Sequence, residues 1–115
     1  MIKVYGIKTC GSVRKALKYF KDNNIEIEYQ DFRKDPVGQE KVDRWLQSVD
    51  IDTLMNKKGT KYRTLELKSL DLDANGKREW LIKENMLFKR PVIEVNENKT
   101  IVAFDEAIYE TLFKG

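Results

Sequence analysis

Ile2-Lys3-Val4-Tyr5-Gly6-Ile7-Lys8-Thr9-Cys10-Gly11-Ser12-Val13-Arg14-Lys15-Ala16-Leu17-Lys18-Tyr19-Phe20 is the stretch whose reading decides the fold. Residues 2–5 are β-rich and end at Gly6, as a short buried or half-buried strand does. After a loop, Val13, Ala16, Leu17 and Phe20 recur at i, i+3, i+4 and i+7, one stripe of a helix. Asp22-Asn23-Asn24 stops that helix. Ile25, Ile27 and Tyr29 then alternate with Glu26, Glu28 and Gln30, the pattern of a half-exposed strand. Two strands joined through a helix are expected to run parallel, with a right-handed crossover.

Working outward, the middle of the chain reads as helical. Asp35-Pro36 offers an N-cap and a first-turn proline, and Val42, Trp45, Leu46 and Val49 repeat the helical stripe. Ile51, Leu54 and Met55 predict a short helix closed by Lys57-Lys58-Gly59. Another is expected from Asn75-Gly76, carrying Trp80, Leu81, Glu84 and Asn85, with both tryptophans in the core. The end returns to β: strand Pro91–Val95, turn 96–99 and strand Thr100–Ala103 make a hairpin. Asp105 can cap a last helix carrying Ile108 and Leu112. The sum is an α/β fold: a four-stranded mixed sheet in the thioredoxin layout with an inserted helical block. Residues 1–115 form one domain, with 1–30 and 88–115 as the thioredoxin core and about 35–87 as the insertion.

Composition narrows the chemistry. The 115 residues carry 22 Lys+Arg against 19 Asp+Glu, a net charge of +3, and 36% are charged. Mixed signs at that density make an ordinary soluble surface, so no direct nucleic-acid binding is expected. Histidine is absent, which removes Ser-His-Asp and Cys-His catalysis, His-containing metal sites and imidazole proton shuttles. Cys10 is the one cysteine, so neither an internal disulfide nor a four-cysteine zinc site can form; no metal is expected. Met1–Tyr5 is too short and interrupted for a signal peptide, and no apolar run approaches the about 20 residues of a membrane span. A cytoplasmic protein with no membrane partner is the expectation.

Cys10 falls between the first strand and the first helical stripe. There the free N–H groups of Gly11, Ser12 and Val13 are expected to point at its sulfur, and the helix dipole favours negative charge. Both stabilise a thiolate, the nucleophilic form of cysteine. Gly11 lets backbone come close to an incoming anion, and Lys8 and Arg14 add positive charge. The alternative is a small buried hydrophobe, as most free cysteines are; the strand-Cys-Gly-Ser-helix context favours a reactive thiol.

These residues carry a family resemblance. Tyr5-Gly6-Ile7-Lys8-Thr9-Cys10-Gly11-Ser12-Val13-Arg14-Lys15-Ala16 resembles the active-site segment of the arsenate reductase (ArsC) family and its relatives Spx and YffB. Lys89-Arg90-Pro91-Val92 resembles that family's Arg-Pro strand start, and Gly59-Thr60-Lys61-Tyr62-Arg63 its central Arg-bearing loop. Phe104-Asp105-Glu106 with Tyr109 resembles the start of its last helix. The resemblance implies a thioredoxin-like fold and thiol redox chemistry. Carried over, Cys10 is the nucleophile, Arg63 and Arg90 hold an oxyanion or a glutathione adduct, and Pro91 is a cis-proline beside the thiol. Arginine suits that role, since its rigid guanidinium matches oxyanions bidentately and stays charged.

Three departures refine the expectation. Arsenate reductases carry a histidine where this chain has Gly6, and a third arginine where it has Ala103. Spx-type regulators carry a Cys-x-x-Cys switch, whose second position here is Val13. What remains is closest to the YffB-like branch. The implied function is a small thiol oxidoreductase without a bound cofactor, using glutathione, or a glutaredoxin-like reductant, as co-substrate and turning over arsenate weakly or not at all. The alternatives are a non-enzymatic Spx-like regulator that binds RNA polymerase, or a degenerate binding module.

Overall fold

The computed structural model describes residues 1–114. Its centre is a four-stranded sheet of β1 (Ile2–Gly6), β2 (Ile27–Asp31), β3 (Val92–Asn96) and β4 (Lys99–Val102), in the order β2-β1-β3-β4. β1 and β2 are parallel, with Ile2 opposite Ile27 and Gly6 opposite Asp31. β3 runs antiparallel to both β1 and β4, with Val92 opposite Tyr5 on one side and Val102 on the other. The helix α1 (Gly11–Asp22) joins the parallel pair; α2 (Gln39–Trp45), α3 (Ile51–Leu54), α4 (Thr60–Thr64) and α5 (Ala74–Lys83) fill the chain between β2 and β3; α6 (Glu106–Tyr109) follows β4. It runs on as a wider π-type turn over Glu110–Lys114.

Strand residues alternate faces, and that alternation divides the core in two. Val4 and Ile93 point to one face and pack with Ala16, Tyr19 and Phe20 of α1 and with Tyr109. Tyr5 and Val92 point to the other and lie under the inserted helices, with Phe32, Trp45, Leu54, Leu81 and Phe88. Edge-on aromatic contacts bind this second layer: the Tyr5 and Trp45 rings are 4.9 Å apart and Trp45 and Phe88 5.2 Å.

A buried carboxylate fastens the insertion to the sheet. Glu94 of β3 is only 5% exposed. Its oxygens accept hydrogen bonds from Trp45 Nε1 at 2.8 Å, Lys41 Nζ at 3.0 Å and the Tyr5 hydroxyl at 3.1 Å, with Arg44 Nε 3.8 Å away. Burial pushes this carboxyl's pKa up, but the bonds from Trp45 and Lys41, the Lys41 charge and the Tyr5 hydroxyl outweigh it and hold it below the usual glutamate range.

Several local expectations are corrected. The second strand starts at Ile27 rather than Ile25, because Asn24 turns the chain at φ 56° and the Ile25 N–H closes back onto Phe20. No helix starts at Asp35-Pro36. The Asn85 side chain bonds both the N–H and the carbonyl of Val37, at 2.6 and 3.1 Å, and helix α2 opens only after Gly38. The segment read as a central loop is helical over Thr60–Thr64. Helix α5 ends at Lys83, so Glu84 and Asn85 lie beyond it, and Trp80 is only half-buried beneath Lys83. Asp105 does cap α6, accepting from the Ile108 N–H, but Ile108 is 47% exposed and Tyr109 takes the core position.

Candidate active site

The strand register assembles one end of the sheet. Val92 lies opposite Tyr5 and Val102. Pro91 therefore sits beside the end of β1, and the Ala103 N–H reaches its carbonyl at 2.9 Å. The Arg90–Pro91 peptide is cis, as the resemblance implied. The chain leaving β1 turns at once into the Cys10 loop, so Cys10, Arg90, Pro91 and Ala103 gather at this end.

Cys10 is the N-cap residue of α1, in extended conformation at φ −85° and ψ 127°. Its N–H donates to the Ile7 carbonyl and its carbonyl accepts from Arg14, both at 3.1 Å, which fixes the loop. The thiol is partly exposed and makes no capping hydrogen bond. This corrects the expectation that the N–H groups of Gly11, Ser12 and Val13 point at the sulfur. Cys10 packs against the apolar cluster beneath the insertion. Helix geometry gives first-turn N–H groups no intrahelical partner, so they stay open to an incoming anion. Gly11 and Ser12 are exposed, and a Cβ on Gly11 would meet nothing within 4 Å.

The flanking cations do different work from that expected. Arg14 Nη1 donates to the carbonyls of Lys8 at 3.3 Å and Thr9 at 3.4 Å, so it braces the loop. Lys8 places its ammonium over the Tyr29 ring, 5.4 Å from the centroid, toward β2. Val13 is fully buried, and its Cγ2 lies 2.6 Å from where a Cβ on Gly6 would stand. Val13 thus fills the space that a side chain at position 6 would need.

Arg90 is half-buried, with Nη1 3.2 Å from the Met86 sulfur. Met86 and Cys10 pack on the same cluster, so Arg90 and the thiol share the insertion face of the sheet. Arg63 belongs to α4, between Tyr62 and Leu65, which pack on that cluster too. Its side chain is exposed and, among the described residues, makes no hydrogen bond or ion pair. The strand register sets Cys10, Arg90 and Pro91 at one end of the sheet; Arg63 lies on the insertion side without a contact to them among the described residues. Sequence reasoning missed Met86, whose only signal was its place four positions before Arg90, and the Tyr109 hydroxyl, which donates to the Ala103 carbonyl at 2.7 Å.

A thiol at the start of the first helix, a cis-proline at the start of the antiparallel hairpin and this strand order define a thioredoxin-like protein with a helical insertion. The sequence pattern of the ArsC family matches residues 5–112, and the chain belongs to that family. It is 36% identical over 114 residues to an uncharacterized protein of Haemophilus influenzae, covering 98% of this chain and 99% of that one. Among solved structures, a YffB protein superposes with a TM-score of 0.90 at 27% identity, over 97% of this chain and 98% of the other. An arsenate reductase related protein from Brucella melitensis superposes with a TM-score of 0.76 at 34% identity, over 99% and 95%. Membership places the chain in a family of thiol oxidoreductase type.

Proposed function

We propose that the protein is a glutathione-dependent thiol oxidoreductase with Cys10 as its nucleophile. The observation that carries this reading is a single, partly exposed thiol at the N-cap of α1, on the same face as Arg90. The Cys10 thiolate attacks the glutathione sulfur of a mixed disulfide. A Cys10–glutathione disulfide forms and the substrate sulfur leaves as a thiolate. A second glutathione thiolate then attacks the glutathione sulfur of that adduct, releasing oxidised glutathione and regenerating the Cys10 thiolate. The external thiol is required because no second cysteine exists to resolve the adduct. Arg90 attracts the glutathione carboxylates and offsets charge on the exchanging sulfurs. Such chemistry belongs to a reducing compartment such as the cytoplasm.

The test is incubation with oxidised glutathione followed by mass spectrometry, alongside turnover of a glutathionylated peptide. Cys10 should carry one glutathione, Cys10→Ser should neither form the adduct nor turn over, and Arg90→Ala should do both more slowly. No adduct, together with an alkylation rate at pH 7 no faster than that of free cysteine, would overturn the reading.

A further inference from the structure

The contact between Met86 and Arg90 has no part in the exchange just described. Met86 is half-buried, and one side of it lines an open cleft with Phe32, Pro36 and Ile82. Its sulfur lies 3.2 Å from Nη1 of Arg90, which shares the proposed active-site end with Cys10. A thioether is a weak acceptor, so this contact holds Arg90 loosely. A sulfoxide oxygen on the same sulfur would be a strong acceptor beside a permanently charged donor.

We propose that Met86 is an oxidative modification site whose sulfoxide captures Arg90 and lowers the reactivity of Cys10 toward anionic partners. The oxidant is a peroxide. The thioether sulfur attacks one peroxide oxygen, an S–O bond forms as the O–O bond breaks, the sulfur loses two electrons, and the other oxygen of hydrogen peroxide leaves with both protons as water. The new oxygen accepts from the Arg90 guanidinium. The donor that would meet a glutathione carboxylate is then bound within the protein. A sulfoxide reductase reverses the change. Two other methionines serve as internal standards: Met1 is 76% exposed and Met55 is 2% exposed.

The proposal rests on the reading of Cys10 and Arg90 given above, and its test separates the two. Cys10 is first blocked as a mixed disulfide with 2-mercaptoethanol. The protein is treated with hydrogen peroxide, and the thiol is released with dithiothreitol, which leaves sulfoxides in place. Peptide mapping should find Met86 and Met1 oxidised and Met55 intact. Reaction of Cys10 with a dianionic aromatic disulfide should then be about fivefold slower than before oxidation, the share of a charge-assisted hydrogen bond lost to the sulfoxide. Reaction with uncharged iodoacetamide should change much less. Methionine sulfoxide reductase should restore the rate. Met86→Leu should show no oxidation-dependent change, and Met86→Gln, which places an amide oxygen near Arg90, should be slowed without oxidation. An unoxidised Met86, an unchanged rate after its oxidation, or equal slowing in Met86→Leu overturns the proposal. Failure of the underlying reading shows earlier, as absence of a glutathione adduct on the untreated protein together with alkylation no faster than that of free cysteine.

Discussion

Replacing Glu94 by Gln tests how the inserted helices are held to the sheet. The carboxylate has two oxygens and three close donors: Trp45 Nε1 at 2.8 Å, Lys41 Nζ at 3.0 Å and Tyr5 OH at 3.1 Å. Glutamine keeps one oxygen and adds an NH2 that must face at least one of those donors. One donor is left unsatisfied, and the cationic side chains of Lys41 and Arg44 lose their counter-charge. Breaking a buried pair costs about 3–5 kcal/mol. Lys41 is 31% exposed and recovers some hydration, which puts the expected loss at about 3 kcal/mol. For a domain of this size that lowers Tm by roughly 10–15 °C.

The assay is urea unfolding of both proteins at pH 7 and at lower pH. The folded carboxyl sits below the usual glutamate range and so below its own unfolded value. Its contribution is therefore complete above the unfolded pKa and disappears as pH falls through the folded one. The gap between wild type and Glu94→Gln should be widest at neutral pH and narrow steadily once pH drops below about 4.5. A gap under about 1 kcal/mol at pH 7, the size of one ordinary hydrogen bond, would refute the reasoning. So would a gap that does not change with pH.

Three further outcomes are expected. Gly6→Ala should cost about 1–3 kcal/mol, because the new Cβ would stand 2.6 Å from Val13 Cγ2, and Val13→Ala should restore part of that in a double-mutant cycle of urea midpoints. Ala103→Gly should stabilise the fold by about 0.5 kcal/mol in the same assay: relief of a left-handed residue at φ 70° outweighs the unfolded-state entropy of glycine. Wild type should reduce arsenate weakly with glutaredoxin and glutathione, and Ala103→Arg should raise the rate, since position 103 adjoins the Pro91 carbonyl and a cation there meets an anion bound at Cys10; no increase would show that the third arginine is not what limits arsenate turnover.

What was legible in the sequence is what local periodicity and capping encode. Strand β1, the Val13–Ala16–Phe20 stripe of α1 and the β3–β4 hairpin each carry their own pattern, and Asp105 announces α6 by its side chain. The start of α2 was hidden because the residue that prevents an earlier helix, Asn85, lies 48 positions away from Val37. Glu94 was unreadable for the same reason: Tyr5, Trp45 and Lys41 are 89, 49 and 53 positions distant, and on a strand the residue looks like any alternating charge. At the candidate site the residue types were legible and their orientations were not. Lys8 and Arg14 surround Cys10 in sequence, yet one stacks on Tyr29 and the other bonds loop carbonyls. Arg90, distant in sequence, reaches the shared face only because antiparallel pairing brings Val92 beside Tyr5.

Strand β3 links the candidate site to the inserted helices. Its Val92 and Glu94 face the insertion, while Ile93 faces α1 and α6. At one end the strand sets Arg90 and Pro91 near the Cys10 loop; three residues beyond Pro91, its Glu94 anchors Trp45 and Lys41. The insertion supplies Met86, which contacts Arg90, and α4, which carries Arg63. Loosening the Glu94 anchor should therefore free the insertion before the sheet. In native-state hydrogen exchange, Glu94→Gln should lose protection first in α2, at amides such as those of Val42 and its C-cap Leu46, while Val4 and Ile93 in the sheet keep protection near the global unfolding free energy. Cys10, seated on the cluster that the insertion covers, should then be alkylated faster by an uncharged reagent. Equal loss of protection in α2 and in β1 would mean that the sheet and the insertion unfold as one unit, and the anchor would have no separate role.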